Sequence, residues 1–238
     1  MNAIYLGGLC CLAYLAVYYA RNILSAVTPH MIESGLYDEA LIGKLSSLYF
    51  ILYAVGQLIN GIIGDRIKAK YMMSVGLLLA GISNVVFVNV SATPLMATLA
   101  YGFTGFSLSM IYAPMTRLVA ENTEPIYTTR CSVGYTFSSF FGSPVAGLAA
   151  ALLTWQGVFY SSSIALVAMA IAVFGFATLF ERKGIIRYDQ FEKQENQKGV
   201  GVKALFKRQI IKFTLIAMIT GVIRTSVVFW MPTYFNQY

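Results

Sequence analysis

Charged positions are missing from long stretches of the chain. Positions 3–20, 71–116 and 131–180 hold no Asp, Glu, Lys or Arg. A helix rising 1.5 Å per residue crosses ~30 Å of hydrocarbon with ~20 apolar residues. The second and third stretches therefore each accommodate two crossings. The pattern predicts seven membrane-spanning helices, at 3–29, 45–64, 71–90, 95–116, 131–154, 158–180 and 210–235. Polar connections separate them: a loop with His30, Glu33, Asp38, Glu39 and Lys44, a basic turn at 65–70, a tight turn at 91–94, a loop at 117–130, a short joint at 155–157 and a charged linker at 181–208. No basic segment precedes the first apolar run, and no clear small-residue cleavage pattern lies near 16–20, so span one reads as a retained helix.

Composition supports a membrane protein. Of 238 residues, 58% are hydrophobic and 11% charged, where a soluble domain carries about 25% charged residues. The net charge of +7 invites a nucleic-acid reading, but the distribution of the basic residues favours a topological one. The turns after spans two and four carry Arg66, Lys68, Lys70, Arg117 and Arg130, and nine more basic residues fall between Arg182 and Lys212. The opposite loops carry only Lys44. By the positive-inside rule the even loops, the N-terminus and residues 181–208 are cytoplasmic. Cys10, Cys11 and Cys131 lie within apolar runs and read as small buried hydrophobes without a disulfide.

Six spans, a long basic linker and a further span predict a six-helix bundle at 1–180, a cytoplasmic linker at 181–208, and the first helix of a second bundle at 209–238. A weak internal repeat agrees. Arg21 in span one and Arg224 in span seven are each followed eight residues later by proline, Pro29 and Pro232. An arginine in hydrocarbon costs at least ~2.5–3.5 kcal/mol and commonly faces a polar pathway. Arg224 lies near mid-depth. Arg21 lies towards the outer side, where snorkelling to the interface is the alternative to a pore-facing role. No Asp or Glu lies within a span, so an anionic substrate is the natural counter-ion for the two arginines, whose guanidinium forks match phosphate or carboxylate. The same absence leans towards anion exchange over proton symport. His30, at the outer end of span one, reads more readily as a plain interfacial residue than as a ligand or titrating group.

Hydroxyl and amide side chains recur at helical spacing. Tyr49, Tyr53, Gln57 and Asn60–Gly61 share one face of span two. Tyr101, Gly105, Ser109 and Tyr112 do so in span four, and Ser132, Tyr135, Ser139 and Gly142 in span five; Tyr18 precedes Arg21 by one turn. These positions fit either the lining of an aqueous cavity or close helix packing. Pro114 and Pro144 are expected to bend or break spans four and five. Spans three and six show fewer polar positions and are expected to face lipid.

Gly61, Asp65, Arg66 and Lys70, between spans two and three, resemble the cytoplasmic signature of the major facilitator superfamily, with Lys68 where a glycine is typical. The resemblance covers essentially the whole chain. It implies that Gly61, Asp65 and Arg66 act as a latch between the two bundles. The segments Tyr18-Tyr19-Ala20-Arg21-Asn22 and Ile223-Arg224, with Trp230-Met231-Pro232-Thr233-Tyr234, resemble helices one and seven of the organophosphate:phosphate antiporters, which include glycerol-3-phosphate and hexose-phosphate carriers. That resemblance implies that Arg21 and Arg224 bind phosphate. Glycerol-3-phosphate carriers have a lysine where Gln57 falls and a histidine where Ser138 or Ser139 falls, so another phosphorylated or carboxylated solute suits the resemblance better.

The expected protein is an all-α membrane carrier of a small organic anion working by alternating access, with phosphate-ester exchange as the first reading. Arg21, Arg224, Tyr18, Tyr53, Gln57, Tyr135 and Ser139 form the expected substrate site. A proton-coupled carrier of sugars, carboxylates or drugs, and a non-transporting sensor of a sugar phosphate, remain the alternatives. No metal-ligand cluster, nucleophile–base pair or phosphate loop points to an enzyme, a cofactor or a metal. The expected partners are the anionic solute and the bilayer, with no nucleic acid, and the full-length protein is expected to be a monomer. Seven helices leave the second bundle incomplete, so the chain is expected to be part of a longer protein and to transport nothing alone.

Overall fold

The computed structural model describes residues 2–64, 66–188 and 210–237. They fall into two compact units, Met1–Tyr188 and Asp189–Tyr238. The first contains α1 (Asn2–Glu33), α2 (Glu39–Gly64), α3 (Ala69–Asn89), α4 (Pro94–Asn122), α5 (Pro125–Leu152) and α6 (Trp155–Arg182). The second contributes α7 (Ile210–Gln237), along which Ile216, Ile219, Val222 and Ile223 are exposed apolar side chains. No strand occurs among the described residues.

Local chemistry sets the helix ends. Gly35, at φ +72°, lets the chain leave α1 in the left-handed region. Asp38 then starts α2: its Oδ1 accepts from the Leu41 N–H at 2.7 Å, the capping geometry that satisfies an otherwise orphaned donor. Pro94 and Pro125 occupy the first turns of α4 and α5, where a missing N–H costs nothing. Thr154 caps α6 by accepting from the Gly157 N–H at 3.2 Å. The connections are shorter than the apolar pattern predicts. The expected loop at 117–130 is mostly helix, because the charged side chains there pair along the helix instead of breaking it. Arg117 Nε donates to Glu121 Oε1 at 2.6 Å, one turn away. Both α4 and α5 run without a break through Pro114 and Pro144, contrary to the break allowed from sequence. A proline removes a single ladder hydrogen bond, and neighbouring helices in a bundle hold the rest.

In the first unit α1 packs on α5 and α6, α2 on α4, and α3 on both α4 and α6. Glycines set the tightest seams. A Cβ at Gly142 of α5 would lie 2.6 Å from the Tyr18 Cβ of α1. A Cβ at Gly105 of α4 would collide with the backbone oxygen of Tyr49 in α2. Close approach through small residues is how helices associate where no hydrophobic force separates lipid from protein. Polar pins reinforce the seams. Asn84 Nδ2 in α3 donates to Ser162 Oγ in α6 at 3.3 Å, and its Oδ1 accepts from Thr104 in α4 at 3.2 Å. Asn60 Nδ2 in α2 donates to Ser109 Oγ in α4 at 2.7 Å.

The outward faces are apolar. Val75, Leu78, Ile82 and Val86 form an exposed stripe on α3, and Ile164, Ile171 and Phe174 do the same on α6. Water would not tolerate such faces, whereas hydrocarbon does. Exposed apolar side chains such as Ile51, Leu58 and Ile62 occur on α2 as well, so exposure does not single out α3 and α6. Their inner faces are more polar than expected, with Ser83, Asn84, Ser162 and Ser163 all buried. Among the described residues five helices, α1 to α4 and α6, are long and apolar enough to cross a membrane. The 28-residue α5 is long enough but carries more hydroxyls, Ser132, Thr136, Ser138, Ser139 and Ser143 among them. The protein is an all-α, multi-pass membrane protein.

Residues 183–188 fold back on the bundle at the end that carries the α2–α3 turn. Gly184 reverses the chain at φ +69°, the Arg187 N–H donates to Asn122 Oδ1 at 2.6 Å, and Ile186 is buried. Beside them Glu181 accepts from Lys68 at 2.9 Å and from Lys70. The Lys70 side chain is 7% exposed, against 45% for Lys68. Glu181→Gln leaves the buried Lys70 charge without its anion and is expected to cost roughly 1–3 kcal/mol. Lys68→Gln is expected to cost less than about 1 kcal/mol. Thermal unfolding of the two variants in detergent checks the contrast; equal losses would remove the distinction. Gly105→Val, which forces α2 from α4, is expected to cost about 1–3 kcal/mol. Gly147→Ala, at a position with no atom near the added carbon, is expected to leave the unfolding temperature almost unchanged.

Candidate functional site

Arg21 stands two-thirds of the way along α1 and turns into the bundle rather than out to the interface. Its guanidinium carbon lies 5.5 Å from the Tyr18 ring centroid, 5.4 Å from that of Phe50 and 5.1 Å from that of Tyr53. Tyr18 comes from the preceding turn of α1, and Phe50 and Tyr53 come from α2. The charge is thus solvated by the negative faces of three rings, a stronger interaction out of water than in it. Among the described residues no carboxylate pairs with Arg21. Ring faces carry no formal negative charge, so the guanidinium charge is left for an oxyanion to meet.

The neighbouring residues extend a neutral, hydroxyl-rich surface. Gln57 Nε2 donates to the Tyr53 hydroxyl at 3.0 Å, one turn along α2. Tyr14, one turn before Tyr18, lies 4.9 Å from it ring to ring. Tyr14 also meets Tyr112 of α4 at 5.8 Å and Tyr135 of α5 at 5.7 Å. The Tyr135 hydroxyl donates to Ser132 Oγ at 2.9 Å. Phenols and an amide of this kind can donate to an anion without adding a counter-charge.

Of the site predicted from sequence, Tyr18, Arg21, Tyr53 and Gln57 come together directly. Tyr135 joins through Tyr14. Ser139 is buried and its hydroxyl donates to the Thr136 carbonyl of its own helix at 2.6 Å. Arg224 lies on α7 in the second unit, and its side chain is outside the described residues, as is Asp65. Gly61 is half-buried, and Arg66 is exposed in the α2–α3 turn. Tyr14 and Phe50 were missed from sequence. The spacing of Tyr14, Tyr18 and Arg21 carries a signal for the first. Phe50 sits one residue off the Tyr49–Tyr53 face, and no spacing rule selects it. An open groove of about 330 Å³ runs along α5, lined by Thr129, Ser132, Val133, Thr136, Phe137 and Phe140. It does not include Arg21.

Comparison with known proteins places this geometry. Residues 10–238 match the Major Facilitator Superfamily. The chain is 25% identical to the membrane sensor protein UhpC of Salmonella typhimurium, over 95% of this chain and 55% of that protein. It is 23% identical to a probable hexose phosphate transport protein of Chlamydia trachomatis, over 78% of this chain and 41% of that protein. Its identity to the glycerol-3-phosphate transporter of Bacillus subtilis is 21%, over 95% of this chain and 56% of that protein. The chain spans about half the length of the curated relatives it matches. A helical bundle that carries exposed apolar stripes, with a match over nearly all its length, leaves one assignment: the chain belongs to the Major Facilitator Superfamily.

Proposed function

We propose that this chain is the substrate-binding first half, with the start of the second, of a transporter that exchanges a small phosphorylated anion by alternating access. The observation that carries the reading is Arg21, an intramembrane guanidinium held on three aromatic rings with no carboxylate partner among the described residues. An anion is the counter-ion such a group lacks. Arg224 of α7 supplies the second cation in this reading, so that two guanidinium groups neutralise a dianionic phosphate ester. Tyr18, Tyr53, Gln57 and Tyr135 would hydrogen-bond the solute. The relatives named for hexose phosphate and glycerol-3-phosphate support a phosphorylated substrate. The bundle at 1–180, the linker at 181–208 and the helix at 209–238 would move as parts of a two-bundle carrier. The N-terminus and the linker would lie in the cytoplasm, and Gly61, Asp65 and Arg66 would form the inner latch.

A second reading is favoured by the likeness to the membrane sensor protein UhpC, which extends over 95% of this chain. Here the same site binds a phosphorylated solute and transmits occupancy without flux.

Counterflow of radiolabelled inorganic phosphate into phosphate-loaded proteoliposomes tests both readings. Robust exchange by the full-length protein, falling more than tenfold in Arg21→Lys and in Arg224→Lys, is expected for the transporter, because lysine loses the bidentate fork. Flux that ignores both substitutions would sink the two-arginine site. Saturable binding of a sugar phosphate with no flux would favour the sensor.

A further inference from the structure

Tyr49 is a buried tyrosine that packs on two of the rings around Arg21 and that the site described so far does not use. It is 1% exposed, and its hydroxyl has no hydrogen-bond partner among the described residues. Its ring is well placed by packing alone. It stacks on Tyr101 at 5.0 Å, stands edge-on to Phe50 at 5.2 Å and stacks on Tyr53 at 6.2 Å with an interplanar angle of 13°. Phe50 and Tyr53 are two of the three rings that hold the Arg21 guanidinium.

These facts conflict with a purely structural role for the oxygen. A phenylalanine ring would make the same stacks. The α2–α4 seam that buries Tyr49 depends on the bare Gly105 backbone rather than on the hydroxyl. An unsatisfied hydroxyl in a dry interior destabilises the fold that contains it. A buried group of this kind, beside a cation whose fork donors face no protein anion, fits a role exercised when a ligand is present. By contrast, Tyr53 already accepts a hydrogen bond from Gln57, and Tyr135 already donates to Ser132.

We infer that the Tyr49 hydroxyl is a ligand donor at the deep end of the Arg21 site, giving its hydrogen bond to an oxygen of the bound oxyanion beside the guanidinium. The inference rests on the anion-binding reading of Arg21 and deepens it. It assigns a neutral donor to the anionic group itself. The hydroxyl donates to any accepting oxygen, so inorganic phosphate and a sugar phosphate should both sense it. A neutral donor adds no charge, and the pairing of solute charge with arginine charge is left unchanged.

The test separates this role from packing because the two move stability in opposite senses. The purified full-length protein in detergent is titrated with inorganic phosphate and with glucose 6-phosphate while its unfolding temperature is followed. Wild type, Tyr49→Phe and Arg21→Lys are compared. The expected result for Tyr49→Phe is an unfolding temperature without ligand equal to or above wild type, with apparent affinity for both probes weakened roughly tenfold. Unchanged affinity in Tyr49→Phe alongside impaired Arg21→Lys would overturn the assignment of Tyr49 and leave the arginine reading intact. A lower unfolding temperature without ligand in Tyr49→Phe would also overturn it, since the hydroxyl would then hold the fold. Full affinity in both variants would remove the anion site and the Tyr49 donor together.

Discussion

A guanidinium carried on a membrane-crossing helix has to be solvated by the protein, because hydrocarbon offers it nothing. In this chain the solvation comes from rings rather than from carboxylates. Tyr18, Phe50 and Tyr53 surround Arg21 with their faces. An acidic partner would stabilise the charge more strongly but would also neutralise it and occupy its donors. Aromatic faces hold the cation in place and leave its charge unneutralised. Much of the first unit serves this requirement. α1 supplies Arg21 and Tyr18, α2 supplies Phe50 and Tyr53, and the remaining helices fix the distance between those two.

That distance is set by glycine. Gly105 lets α4 reach the backbone of α2 at Tyr49, and Gly142 lets α5 reach the backbone of α1 at Tyr18. Each contact lies within one turn of a residue that touches Arg21. Seams closed by backbone contact do not breathe as seams closed by long side chains do, so helix packing holds the rings in place, and the Gln57 bond to Tyr53 adds to it. Farther out, the α3–α4–α6 junction is pinned by Asn84, Thr104 and Ser162. In hydrocarbon such side-chain bonds are worth about 0.6 kcal/mol on average, reaching ~1.7. They specify which helix faces meet more than they add stability.

Much of this was legible in the sequence because the relevant signals are periodic. Tyr18 and Arg21 are one turn apart, as are Tyr53 and Gln57, and an intramembrane arginine draws attention to itself. The helix lengths were less legible. Hydropathy marks where hydrocarbon begins, whereas a helix continues until capping or a glycine ends it. Arg117, Glu121 and Pro125 read as loop and prove to be helix, because the first two pair with each other and the third starts a first turn. The buried Asn84 cluster was hidden because the apolar residues around it dominate the average for α3. Phe50 was hidden because its role depends on where α1 lies against α2, which no spacing within α2 contains.

The hydroxyls of α5 bear on how the protein is made. Ser138 and Thr129 each donate to the carbonyl four residues earlier in their own helix, Thr128 donates to that of Glu124, the residue that precedes the helix, and Ser139 donates to that of Thr136. A hydroxyl bonded in this way presents little unsatisfied polarity to its surroundings. Residue-by-residue hydropathy therefore overstates the cost of moving this segment out of the translocation channel into lipid. Only Leu153 and Thr154 separate α5 from α6, the most apolar of the five qualifying helices. The two can leave the channel as a helical hairpin, in which α6 supplies the driving force and α5 enters with its polarity already folded against its own backbone.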